Sequence, residues 1–221
     1  MSSEILYHGS KDIIEKPIYL GGKSNNDYGY GFYCTKIIEL AKEWASSDLQ
    51  DCGYVNTYEI DTSNLAILDL TDNSYNILNW MAILVKYRTF DISSSIAKRA
   101  KTFLLDNYYI DVDKYDIIIG YRADDSYFRY AKDFLNNTIS IQKLSKAMEL
   151  GELGKQTVIK SEKAFKLLHF KGYELVNNTI YYAKKIARDK KAREQYYELE
   201  ITGDKEIYIN QIIEAGGYNA N

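Results

Sequence analysis

The chain has 221 residues, enough for one sizeable core or for one core with helical elaborations. Its 46% hydrophobic and 27% charged content is that of an ordinary globular protein, and no apolar run approaches the ~18 residues that cross a bilayer. A net charge of −3 and a pI of about 5.5 argue against a broadly basic nucleic-acid surface, though not against a local one.

The opening MSSEILYHGS lacks a basic stretch followed by an apolar one, so no secretion signal is expected. Residues 4–8 read as a short strand ending at Gly9-Ser10. Residues 20–31, rich in Gly, Asn and Asp, read as a loop that releases a brief strand, Phe32-Tyr33-Cys34. Thr35 is placed to cap a helix with the apolar stripe Ile37, Leu40, Ala41 and Trp44. Residues 54–60 and 65–70 read as strands split by Asp61-Thr62-Ser63, and 74–88 and 93–107 as helices. Residues 115–119 form a buried strand, after which Asp124 or Asp125 caps a helix carrying Phe128, Ala131 and Leu135. A helix over 140–150, a strand over 156–160 and a helix capped by Ser161 follow. The chain closes with a long helix over 178–200 and a terminal strand or docked tail over 206–213. Strands and helices mix without regular alternation, so the fold class is α+β.

Dinucleotide-binding glycine runs, phosphate loops, zinc-protease helices and serine-nucleophile elbows are absent from the sequence. With only His8 and His169, a three-histidine metal site is impossible, and no metal is expected. Cys34 and Cys52 show no metal spacing or disulfide framework, so a cytoplasmic chain with free thiols is expected. Cys34 reads as a small core residue rather than a nucleophile. The 22 tyrosines accompany plentiful Asn, Lys and Ile and read as compositional bias.

Three segments carry chemistry. In Leu6-Tyr7-His8-Gly9-Ser10 a strand-end imidazole is followed by a glycine that lets a ligand approach the backbone. In Gly31-Phe32-Tyr33, followed by Trp44 on the next helix, two aromatics are placed to hold a flat cationic ring. In Gly154-Lys155-Gln156-Thr157-Val158 a polar side chain opens an otherwise apolar strand.

Together these segments resemble the ADP-ribosyltransferase superfamily of the poly(ADP-ribose) polymerase and diphtheria-toxin type, whose histidine, tyrosine and glutamate lie on three separate strands. A closer resemblance is to a bacterial family known as domain of unknown function 3990. It shares His8-Gly9-Ser10, Gly31-Phe32-Tyr33, Arg122-Ala123-Asp124-Asp125-Ser126-Tyr127-Phe128 and Leu153-Gly154-Lys155-Gln156.

The resemblance implies a split β-sandwich with inserted helices over residues 1–175, and a C-terminal helical extension, 176–221, packed on it. It also implies an NAD-dependent transfer of ADP-ribose to an unknown protein, nucleic-acid or small-molecule acceptor. Such domains resemble the toxins of toxin–antitoxin pairs, which implies a cognate antitoxin. By the same resemblance His8 bonds a ribose hydroxyl, the Gly9 backbone with Ser10 beside it receives the nicotinamide carboxamide, and Tyr33 and Trp44 stack on the ring.

Gln156 stands where the superfamily carries a glutamate, and Ala41 where its polymerases carry a serine; both departures imply a single ADP-ribose per event. Arg122 is placed to pair with the pyrophosphate, and Asp124 or Asp125 to restore the missing carboxylate. Glu162 is a further carboxylate whose simpler role is charge at a helix start. Residues 184–193 hold six basic residues in ten, either a solvated helix face or a docking strip. Two other functions stay open: a catalytically inactive NAD- or partner-binding module, and an RNA-directed phosphotransferase of the same fold.

Overall fold

The first sheet forms where strands can bury both faces. In β3 (Gly53–Asp61), Tyr58 and Ile60 turn to one side and Val55 to the other, and all three are buried. β1 (Ser3–Ser10) pairs antiparallel with β3, setting Leu6 opposite Tyr58 and His8 opposite Asn56. On the far edge β3 pairs with β7 (Leu168–Val176), giving the order β1-β3-β7. The computed structural model describes residues 3–46, 52–123, 125–150, 154–201 and 205–218, and over these the chain is α+β, with two sheets and eight helices.

The second sheet runs β2 (Phe32–Cys34), β6 (Lys155–Ile159), β5 (Ile117–Tyr121) and β4 (Ile67–Asp69). Its pairings are antiparallel except for β4 with β5. A small core of Leu6, Cys34, Ile60, Ile117 and Ile159 lies between the two sheets. An isolated backbone bridge joins them: Tyr7 N–H donates to the Thr35 carbonyl at 2.8 Å, and Thr35 N–H to the Tyr7 carbonyl at 2.9 Å.

Helix α1 (Ile38–Ala45) covers the other face of β1 and β3, packing Ala41 and Ala45 on Val55. It starts later than the Thr35 cap predicts. Ile37 occupies the cap position with no side-chain bond, while Thr35 serves the bridge to Tyr7 and its Oγ1 accepts from Ile37 N–H.

The main core is built around α2 (Ile77–Tyr87), in which the run from Trp80 to Val85 is fully buried. Around it pack α3 (Ser95–Tyr108), α4 (Asp125–Leu135) and α5 (Ile141–Ala147). α6 (Glu162–Lys166) is capped by Ser161 as the sequence predicts. α7 (Asn178–Glu198) is the long helix.

Two further segments differ, wholly or in part, from the sequence reading. β7 was not anticipated, because only Val176 among its residues is buried and the alternation that starts at Leu168 and Phe170 changes phase at Gly172, where the register with β3 shifts. Of the two readings of 206–213, the docked tail holds and the strand does not: α8 (Ile209–Glu214) buries Ile209 and Ile212, three apart, against the main core.

Candidate functional site

The two sheets part beyond the Tyr7–Thr35 bridge, and a cleft of about 820 Å³ opens there, within the range of small-molecule sites. His8, Gly9, Tyr33, Trp44, Arg122 and Gln156, spread over the chain, all line it. The His8 Nδ1–H donates to the Tyr33 carbonyl at 2.7 Å, which fixes the tautomer and leaves Nε2 as an acceptor. Burial holds the imidazole pKa below its usual 6.5, the backbone bond opposing in part, so the ring is neutral near pH 7. Phe32 packs on it with ring centroids 4.3 Å apart.

Gly9 is there for packing as well as access. A Cβ at this position would sit 1.9 Å from the Ala41 carbonyl oxygen and 2.6 Å from the Ala45 nitrogen, so only glycine lets α1 press against β1. That contact sets where Trp44 stands. Ser10 is not among the cleft-lining residues: its hydroxyl donates to the Asp12 carbonyl at 2.5 Å and accepts from the buried Asn56 amide at 3.1 Å.

Tyr33 has its ring at the cleft and its hydroxyl in the structure. It donates to the Gly29 carbonyl at 2.7 Å and accepts from Tyr28 N–H at 3.1 Å, and burial pushes its pKa well up. The indole of Trp44 already carries a cation. The Arg122 guanidinium lies 4.6 Å from its centroid, while the indole N–H is buried with no hydrogen-bond partner.

Gln156 is buried, and its amide does not face a ligand alone. Nε2 donates to Asp27 Oδ2 at 3.0 Å and to the Tyr121 carbonyl at 3.0 Å. Asp27, which lines the cleft, was missed in the sequence because an acid in the Asn- and Gly-rich loop 20–31 looks like a turn former. Its Oδ2 also accepts from Ala123 N–H at 2.9 Å, and Oδ1 lies 3.6 Å from Arg88 Nη1. Burial raises the Asp27 pKa; the bonds from Ala123 and Gln156 and the charges of Arg88 and Arg122 pull it back.

The loop bearing Asp27 is anchored. Tyr28 is fully buried beneath Gly120, where a Cβ would fall 2.2 Å from its hydroxyl, and that hydroxyl donates to the Tyr121 carbonyl at 2.8 Å. The buried Lys160 ammonium donates to the carbonyls of Tyr28 and Tyr30 at 2.9 and 2.8 Å.

A further wall comes from α7, through Lys185, Ile186, Arg188 and Asp189, and the loop after β1 adds residues from Ile14 to Gly22. Arg188 grips Glu43, the residue before Trp44, at 2.8 Å from Nη2 and 2.9 Å from Nε. The basic stretch 184–193 is thus largely ion-paired, with Lys184 on Glu39, Arg188 on Glu43 and Arg193 on Asp189. Glu162 is exposed in the first turn of α6, 2.8 Å from Lys166, and does not reach the cleft. Cys34 is buried in the core between the sheets with its thiol pKa pushed up. Asp124 lies outside the described residues, as does the side chain of Asp125, whose backbone begins α4.

No helix among the described residues is long and apolar enough to cross a membrane. No curated protein and no solved structure matches the chain. A family model does match it, over residues 4–170, which takes in every strand of the second sheet and the loop, strand and helix that shape the cleft but leaves α7 outside. By that match the chain belongs to the family described as protein of unknown function DUF3990.

Proposed function

We propose that this protein is an NAD-dependent mono-ADP-ribosyltransferase of the ADP-ribosyltransferase-like split β-sandwich type, acting on an intracellular target as the toxin of a toxin–antitoxin pair. One observation carries the reading: His8, Tyr33, Trp44 and Gln156, distant in sequence, line one cleft at the junction of two sheets. The chemistry of the lining fits the substrate. Trp44 offers a face on which a cation stacks, the partnerless indole N–H lies beside it, and Arg122 and Lys185 are cations suited to a pyrophosphate. His8 Nε2 is an acceptor suited to a ribose hydroxyl.

The reaction breaks the bond between nicotinamide and ribose C1′, whose electron pair leaves with nicotinamide. The acceptor then supplies its own pair to C1′ and loses a proton. The transition state resembles an oxocarbenium ion, so the protein's task is to hold the ring, fix the sugar and stabilise positive charge. Incubation with NAD labelled in the adenine and with cell lysate tests the reading: label on a protein, nucleic acid or small molecule, with release of nicotinamide, is expected.

The second reading, a non-catalytic NAD- or partner-binding module, is favoured by the Gln156 amide, whose Nε2 is committed to Asp27 and Tyr121. Binding of NAD without release of nicotinamide would select it.

A further inference from the structure

We propose that Asp27 is the catalytic carboxylate of this site and that Gln156 is its positioning residue. The proposal rests on the transferase reading above and deepens it. An oxocarbenium-like transition state gains from a fixed negative charge near C1′. Neither Gln156 nor any other strand residue facing the cleft supplies one. Among the described residues two carboxylates besides Asp27 line the cleft, and both are taken: Glu43 is gripped through both oxygens by Arg188, and Asp189 is bound by Ser126 and Arg193.

Asp27 differs from both. Its Oδ2 is saturated by the Ala123 N–H and the Gln156 amide, while the nearest cation to Oδ1 among the described residues' ion pairs is Arg88, 3.6 Å away and longer than a hydrogen bond, with the Arg122 charge acting from further off. One oxygen is therefore used to hold the group, while the other has no hydrogen bond among the described residues and meets only the longer contact to Arg88, itself a cleft-lining residue. The anchoring of Tyr28 and the two Lys160 bonds fix the backbone that follows Asp27, so the carboxylate is preorganised rather than recruited. In this arrangement the amide at 156 orients the charge that the side chain itself lacks. Glutamate at 156 would press a second anion against Asp27 in a buried site, so Gln156→Glu is expected to lower activity rather than raise it.

In the step assigned to it, Asp27 accepts no atom. The C1′–N bond breaks, nicotinamide takes the electron pair, the acceptor adds at C1′ and its proton leaves to solvent, with the ionised Oδ1 beside the sugar throughout.

The test uses the full chain. Nicotinamide release and NAD affinity are measured for wild type, Asp27→Asn and Asp27→Ala, the last with and without added formate. Release is expected to fall by about a hundredfold or more in both variants. Affinity for NAD should hold within about threefold, and formate should restore part of the release in Asp27→Ala alone. Gln156→Ala should lower kcat while leaving KM nearly unchanged. Wild type that releases no nicotinamide overturns the transferase reading, and this proposal with it. An active wild type accompanied by an equally active Asp27→Asn, by loss of NAD binding in both variants, or by no recovery with formate overturns this proposal alone. If Asp27→Asn does not fold, Asp27→Ala decides on the same readouts.

Discussion

Replacing Arg188 by methionine keeps the length and apolar stem of the side chain but strips Glu43 of its partner. Glu43 is 4% exposed and Arg188 23% exposed, so the carboxylate is the group that cannot find water. Breaking a buried pair from one side costs about 3–5 kcal/mol; the part-exposed guanidinium places this case near the lower end. For a chain of this size that corresponds to a fall in Tm of roughly 6–12 °C, at about 2–4 °C per kcal/mol. The structure also predicts an asymmetry. Glu43→Gln leaves behind the more exposed partner, so it should cost less than Arg188→Met, and the double variant should recover much of the loss because neither charge is then orphaned. Thermal and urea unfolding of the four proteins measure this directly. If Arg188→Met costs under about 1 kcal/mol, the pair behaves like a surface ion pair, and α7 is not held on the cleft wall by this contact.

Two further perturbations probe the frame of the cleft. Gly9→Ala places a Cβ 1.9 Å from the Ala41 carbonyl and forces α1 away from β1. Overpacking of this kind costs about 1–3 kcal/mol or more, and because Trp44 and Glu43 ride on α1, binding of NAD should weaken along with a lower Tm; a wild-type Tm would refute the close approach. For His8, burial sets the folded pKa below the unfolded value of 6.5, so the unfolded chain takes up the proton first as pH falls. The stabilising contribution is fully present above pH 6.5 and is lost as pH drops through the folded value, at no more than about 1.4 kcal/mol per pH unit. Urea midpoints across this range should fall more steeply for wild type than for His8→Gln, and parallel curves would show that His8 is not buried neutral.

What was legible in the sequence followed from local pattern. The strand before Gly9, the loop over 20–31, the helix carrying Trp44 and the Ser161 cap each have a signal within a few residues. β7 has only a short one, since the alternation of Leu168-His169-Phe170-Lys171 breaks phase at Gly172 and the strand buries a single side chain. In 206–213 the alternation of Ile207 and Ile209 suggested a strand, but the pair that is buried is Ile209 and Ile212, at helical spacing. At the site, the residues that converge were readable as motifs, whereas their partners were not. Arg188 lies 145 residues from Glu43, and Gln156 lies 129 from Asp27. No window of sequence contains either pair, and only burial distinguishes Asp27 from an ordinary turn aspartate.

The position of Asp27 also bears on why its loop is built as it is. A carboxylate kept for local structure alone is cheapest at the surface, where water solvates it; in a cleft floor it carries a desolvation cost, and its pKa is raised accordingly. That cost is met in part by the Ala123 N–H and the Gln156 amide on Oδ2 and by the charges of Arg88 and Arg122, with Arg88 3.6 Å from Oδ1. Meanwhile Tyr28 under Gly120, the Lys160 ammonium and the Tyr33 hydroxyl all bind the backbone around it, so the loop cannot swing the charge out to solvent. A buried, under-compensated anion held rigidly at the edge of an open cleft raises the energy of the resting protein and lowers it when a cation arrives there. In the proposed reaction the sugar that becomes positive as its nicotinamide departs would be such a cation, and the neutral Gln156 amide on β6 would hold the charge in place.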